Sequence, residues 1–362
     1  MSLINEEIVG RDCCFVDFAE KVLKLLIVMN VCIYGGGNVA HAIAGVISLV
    51  QPVSVVTRHP KEWADKLTLE QGPSILCSKF SCRATSDVAV VREADVIIIA
   101  LPQYVQEVAI NCLKDNLKPG ATVAFIPAPA RIHEYSIVLK SRGARVVGFQ
   151  RVPFVSRIKR YGYSAQISLA RKVNILAVSD AFLKSEWEAL CFRWFGSCVD
   201  FLSSFFALSF SNSNPLLHPS RLVVLFDDWR SKIFKYNPYF YREWTDASSE
   251  LYVEADREMK DVMLRYKDID VSTDYTSVFK HYEVSSVQGL TKKIRSIIGL
   301  RNIKSPMCEV DGAWVPDFKS RYFTEDVPYG TCEIQRLAKT VGVQVPIIDE
   351  LICRMERIVN SL

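Results

Sequence analysis

Apolar and polar positions alternate along the first half of the chain in short blocks, and glycine or proline closes each block. Met29-Asn-Val-Cys-Ile-Tyr34 is a short β-rich run, and Gly35-Gly-Gly37 follows at once. Val39, Ile43, Val46, Ile47 and Val50 then recur at helical spacing until Pro52 stops them. Val53-Ser-Val-Val56 reads as the next strand. Strand, glycine turn, helix and strand within about 30 residues form a dinucleotide-binding βαβ unit. Gly35 allows the tight turn, Gly37 lets the backbone approach a pyrophosphate, and Ala40 lets helix pack on strand. The phosphates would sit on the free N–H groups at the helix start, around Asn38 and Val39.

The same blocks continue. Trp63, Leu67 and Leu69 after Pro60 predict a short helix, and Phe80–Thr85 predicts a third strand, with Ser86-Asp87 a cap before Val88–Glu93. Asp95-Val-Ile-Ile-Ile-Ala100 has the unbroken apolar run of a buried parallel strand. It ends in Leu101-Pro102, at the carboxyl edge of the sheet where open α/β folds bind ligands. Helices over Tyr104–Leu117 and Ile132–Ser141 alternate with strands over Thr122–Ile126 and Arg145–Phe149, and β-rich segments between Ala165 and Ala177 extend the sheet. From Asp180 helical spacing takes over, in seven segments from Phe182–Trp194 to Ile347–Val359. The expected architecture is a doubly wound dinucleotide domain over residues 29–179, then an all-α domain over 180–362, with a cleft between them. Residues 1–28 form an N-terminal extension, with Phe15, Phe18, Val22, Leu25 and Leu26 spaced for one amphipathic helix.

Composition narrows the function. A formal net charge of +4 with scattered basic residues argues against a nucleic-acid partner, and Arg157-Ile-Lys-Arg160 and Lys292-Lys-Ile-Arg295 read as solvated faces. The apolar run Val22–Tyr34 is broken by Lys24 and Asn30 and is too short to span a bilayer. Eleven cysteines without a Cys-x-x-Cys pair indicate reduced thiols, hence a cytoplasmic protein and no metal site. About 20 residues past the glycines, where an acid would bond the ribose of NAD, stand Thr57 and Arg58. That points to NADP(H), with NAD still open, because Arg58 could equally be a solvated loop residue.

Nicotinamide chemistry needs a proton donor and a cation for substrate carboxylate. Of five histidines, His218 stands out, in the polar, proline-punctuated Asn212-Ser-Asn-Pro-Leu-Leu-His-Pro219. A histidine capping a helix at a turn would look the same. Arg321-Tyr-Phe-Thr-Glu-Asp326 gathers a guanidinium and two carboxylates before a Pro/Gly turn, suited to clamp a carboxylate and brace an imidazole. The plain alternative is a surface ion pair worth at most about 1 kcal/mol. Asp227, Asp228, Glu243 and Trp244 offer groups for an amine, or solvated surface.

From Met29 onward the chain resembles the opine dehydrogenase family, that is, octopine/nopaline dehydrogenase-like enzymes. The likeness rests on Gly35–Ala40, Val152–Arg157, Asn212–Pro219, Asp256-Arg-Glu258 and Asp317–Gly330. It implies a Rossmann domain followed by a helical domain of the 6-phosphogluconate-dehydrogenase-like kind. It also implies an NAD(P)H-dependent condensation of a 2-oxo acid with an amino acid. The oligomeric state, a homodimer among the options, is left open by the sequence. By this resemblance His218 is the acid/base, Asp326 its partner, and Arg321 the contact for the keto-acid carboxylate. Asn212 and Asn214 would line the nicotinamide end. The family's Leu-Pro-Tyr-Ala-Cys-Arg stretch reads Val152-Pro-Phe-Val-Ser156-Arg157 here, so Ser156 replaces a cysteine that some members use toward the amino acid. The runner-up is simple carbonyl reduction of the ketopantoate-reductase or glycerol-phosphate-dehydrogenase type, which relies on a lysine this chain does not offer in such a motif. A cofactor-binding sensor without catalysis is the reading from outside enzymes.

Overall fold

Val31–Tyr34 is β1, and its neighbours β2 (Val53–Val56) and β6 (Val96–Ile99) run parallel on either side of it. Alternate residues enter opposite faces of the sheet: Ile33 and Ile98 pack into one apolar layer, Cys32 and Ile97 into the other. Both faces are covered, which is why these strands carry no polar side. Each fully buried Ile or Val contributes about 1.5–3 kcal/mol. In the computed structural model residues 29–360 are described, so the expected helix within residues 4–28 lies outside the described residues.

Two units divide the described residues at Leu208/Ser209. In the first, α1 (Asn38–Ile47) follows β1 and leads into β2, as the glycine pattern predicts. The eight-stranded sheet has the order β12-β11-β8-β7-β6-β1-β2-β5, with β5 at Cys82–Thr85, β7 at Thr122–Phe125 and β8 at Arg145–Phe149. Helices α2 (Gln103–Leu113) and α3 (Ile132–Lys140) make the crossovers around β7. The sheet runs on past residue 179. β11 (Val173–Val178) joins antiparallel to β8, α4 (Phe182–Phe195) follows, and β12 (Cys198–Phe201) adds parallel to β11. Strand β12 falls where helical spacing alone suggested the start of a helix. The helix seen there is only α5 (Phe205–Phe210).

The helix expected after Pro60 is also absent. A single 3-10 turn spans Pro60–Glu62, and Leu69 lies on β3 (Thr68–Gln71). With β4 (Ser74–Cys77), β9 (Val155–Arg160) and β10 (Ser164–Ser168), this strand forms a second sheet, ordered β4-β3-β10-β9. Three apolar residues in seven fit either period, and the pairing of β3 with the distant β10 decides the outcome.

The second unit is built on α6 (Asn214–Phe226) and α7 (Asp246–Met263), with the short α8 (Val271–Asp274) and α9 (Val278–His281), then α10 (Val287–Ser296). A two-stranded hairpin, β13 (Met307–Val310) with β14 (Ala313–Pro316), is set into this otherwise helical unit. A π-helical segment (Tyr322–Thr331), α11 (Cys332–Thr340) and α12 (Pro346–Asn360) follow. Carboxylates of α7 tie these pieces together. Asp256 accepts from the Tyr275 hydroxyl at 2.7 Å and the Val278 N–H at 3.0 Å. Glu258 accepts from the first N–H groups of α12, Ile347 and Ile348, at 2.8 and 2.9 Å. Asp256 and Glu258, singled out in sequence, therefore brace the fold.

Candidate active site

Helix α6 starts where the Asn212 side chain accepts the Asn214 N–H at 3.1 Å, and Pro215 fits its first turn. The proline-rich stretch that reads as a break is thus the opening of a continuous helix. Pro219 lies inside it and has no N–H, so the carbonyl of Pro215, four residues earlier, loses its helical donor. The buried Thr331 hydroxyl donates to that carbonyl at 2.6 Å instead. Beside it Gly330 comes so close to α6 that an added Cβ would stand 2.6 Å from the Pro215 ring. Pro219, Thr331 and Gly330 together clamp the π-helical segment on α6.

That clamp sets the chemistry. Nδ1 of His218 lies 2.7 Å from Oδ2 of Asp326, and both residues are 4% exposed. Nε2 of His218 lies 2.9 Å from the Tyr241 hydroxyl. A carboxylate only accepts, so the network assigns the proton to Nδ1, and Nε2 then accepts from Tyr241. The imidazole is boxed by Phe240 at 5.7 Å and Tyr322 at 4.3 Å between ring centroids. Arg321 is different: its side chain is 63% exposed, and its guanidinium stands 4.0 Å from Oδ1 of Asp326. The site therefore holds a buried acid–imidazole pair with a cation at its rim, all within the second unit.

Burial, with Tyr322 beside it, pushes the Tyr241 phenol well above its ordinary value, and burial raises Tyr322 too. Burial likewise raises Glu325, which Asp326 reinforces and Arg321 opposes. Tyr241 and Tyr322 are functional candidates that sequence reasoning missed. The only signal for them was the aromatic density of Tyr236–Trp244 and Arg321–Phe323. Trp244, read as a candidate for an amine, is buried with its indole N–H on the Ser249 hydroxyl at 2.9 Å, while Asp227 and Asp228 are exposed.

In the first unit the glycine loop has the shape a nucleotide needs. Gly35, at φ +149, approaches the Ala100 carbonyl so closely that a Cβ would stand 2.4 Å from it. A Cβ on Gly37 would meet no atom within 4 Å, so the backbone there faces open space at the start of α1. The first turn of α1 carries no acidic residue, which leaves its N–H groups electropositive. Asn38 holds the loop through its side chain, which accepts from the Ile158 N–H at 2.7 Å; Val39 is half-buried and Ala40 buried in the sheet contact. Thr57 is buried with its hydroxyl 3.3 Å from that of Tyr161, and Arg58 is exposed. Tyr161 is a further residue the sequence did not flag. The Leu101 carbonyl accepts from the Gln106 side chain at 2.8 Å, and Pro102 starts α2. These groups fit a dinucleotide pyrophosphate and the ribose next to it.

Ser156 is 4% exposed on β9 in the first unit, whereas Asn212, Asn214, His218, Arg321 and Asp326 belong to the second. Asn212 is engaged by the helix start already described, and Asn214 is half-buried. Nine cysteines among the described residues are free thiols. No helix among the described residues is long and apolar enough to cross a membrane.

Residues 201–359 match the family model described as NAD/NADP octopine/nopaline dehydrogenase, alpha-helical domain. A tauropine dehydrogenase from Arabella iricolor is 25% identical over 90% of this chain and 90% of its own length. A solved octopine dehydrogenase, with NADH and L-arginine in the complex, superposes with a TM-score of 0.80 at 22% identity, covering 92% of this chain and 90% of that one. Yersinopine dehydrogenase with NADP+ bound gives a TM-score of 0.68 at 13% identity over 92% and 91%.

Proposed function

We propose, on the match of residues 201–359 to the octopine/nopaline dehydrogenase family model and the likeness to tauropine dehydrogenase over most of the chain, that the protein is an opine-dehydrogenase-like, NAD(P)H-dependent oxidoreductase that condenses a 2-oxo acid with the amine of an amino acid and reduces the resulting imine. The buried His218–Asp326 pair carries this reading, because a positioned imidazole is what the proton transfers of such a reaction need. Condensation joins amine nitrogen to keto carbon and releases water, and reduction then adds one hydride and one proton. Bound NAD(P)H supplies the hydride. Asp326 holds the proton of His218 at Nδ1 and stabilises the imidazolium when it forms. His218 exchanges its proton at Nε2, the nitrogen that the Tyr241 hydroxyl orients. Arg321, at the rim, takes the keto-acid carboxylate, and Asn212 and Asn214 line the nicotinamide end. Ser156, where the family pattern has a cysteine, is the candidate contact for the amino acid. Most of the acceleration comes from holding two substrates and the nicotinamide together.

The glycine loop, with Leu101 and Pro102, takes the pyrophosphate. Thr57 and Arg58 favour NADPH over NADH, since no carboxylate occupies that position to repel a 2′-phosphate. The free thiols suit a reducing cytoplasm.

A matrix of 2-oxo acids against amino acids, read as NADPH and NADH oxidation, tests the reading. Oxidation that requires both components and yields a secondary amine is expected. Equal oxidation with the keto acid alone would replace it by simple carbonyl reduction.

A further inference from the structure

Arg221 follows His218 by three residues on α6, so the two side chains leave the same face of the helix. It is 4% exposed. Among the described residues its guanidinium has no hydrogen bond and no ion pair, and its Nε is buried without a partner. Glu243 is the carboxylate that favours its charge, but that group already accepts from the Tyr239 N–H at 2.8 Å and the Tyr236 hydroxyl at 3.2 Å. Arg295, which donates to the Trp244 carbonyl at 2.6 Å, opposes the charge of Arg221. Burial brings the Arg221 guanidinium down to about 10, so it stays charged at neutral pH. A desolvated cation that neither pairs nor hydrogen-bonds with its nearby carboxylate is a net cost to the fold. A chain tolerates it where the anion comes from outside.

We propose that Arg221 is a specificity-determining residue that receives a carboxylate of the substrate pair. This rests on the function proposed above and deepens it. The reaction brings two acid groups to the site, and the exposed Arg321 answers one of them. The second can come from the 2-oxo acid or from the amino acid, and its chemistry is the same in both. A buried fork of N–H donors fixes that group in orientation as well as in charge.

The test compares the full-length protein with Arg221→Met and Arg221→Lys by thermal melting without cofactor. The probes are pyruvate, L-alanine and their uncharged-acid counterparts pyruvamide and L-alaninamide. In the unmodified protein pyruvate or alanine raises the melting temperature and its amide does not; the acid that acts identifies the source. In Arg221→Met that shift disappears, while the ligand-free melting temperature stays level or rises, which a structural role would not allow. In turnover the KM for that acid rises about tenfold to a hundredfold with kcat much less changed, and Arg221→Lys recovers part of the loss. An acid-dependent shift that persists in Arg221→Met, or no shift from either acid in the unmodified protein, overturns the proposal. If Arg221→Met does not fold, Arg221→Lys decides: an unchanged KM for both acids overturns it. Because melting is read without turnover, acid binding through Arg221 in a protein that reduces no imine would sink the proposed reaction and leave this site standing.

Discussion

Nδ1 of His218 and Oδ2 of Asp326 stand 2.7 Å apart across 108 residues of sequence, both buried. The pair exists because α6 and the π-helical segment are locked by the Thr331 hydroxyl on the Pro215 carbonyl and by the bare backbone of Gly330. A charge-assisted bond of this length in a dry environment fixes the tautomer of the ring. A π-helical turn, rare elsewhere, is common at such sites.

Asp326→Asn keeps the shape but loses the acceptor charge, and His218→Ala removes the ring. Turnover falls about 10²–10⁴-fold in each, while NADPH affinity, read by fluorescence titration, stays within about twofold. Equal activity in His218→Ala and the unmodified protein would take His218 out of the chemistry.

The two outer glycines of the loop separate folding from binding. Gly35→Ala forces a side chain against the Ala100 carbonyl at a left-handed φ and costs about 1–3 kcal/mol, so the melting temperature drops. Gly37→Ala meets no protein atom, so melting is unchanged, but the new methyl fills pyrophosphate space and NADPH affinity falls about tenfold or more. A Gly37→Ala protein with full affinity would remove the loop from the cofactor site.

Arg58→Ala raises the KM for NADPH about tenfold and leaves that for NADH nearly unchanged. Steady-state kinetics with both cofactors reads this directly, and an unaltered preference refutes the NADPH assignment.

Burial raises the phenols of Tyr241 and Tyr275, the latter also through its bond to Asp256. The folded protein thus keeps protons that the unfolded chain releases near pH 10. Their contribution to stability is complete below that pH and is lost as pH rises above it. Melting temperature should fall from about pH 10 upward, and less steeply in Tyr275→Phe. Tyrosinate absorbance of the native protein should lag behind that of the unfolded chain over the same range.

Much of the fold could be read along the chain. Strand, glycines and helix from Val31 to Ile47 are local: period-2 and period-3.6 patterns meet at residues that permit only a turn. The candidate residues His218, Arg321 and Asp326 were legible as motifs for a similar reason, since their chemistry and spacing are written in single stretches. Leu69 became strand rather than helix because β10, nearly a hundred residues later, offered a partner. Asp326 became the partner of His218, and Tyr241 its second hydrogen bond, only through packing in three dimensions. The buried, unbonded guanidinium of Arg221 is also a tertiary fact: an arginine on an amphipathic helix reads as solvated until its neighbours close over it. Local sterics and side-chain period therefore fixed the elements. Which polar groups lose water together, and so acquire chemistry, was decided by long-range packing that no short window of sequence contains.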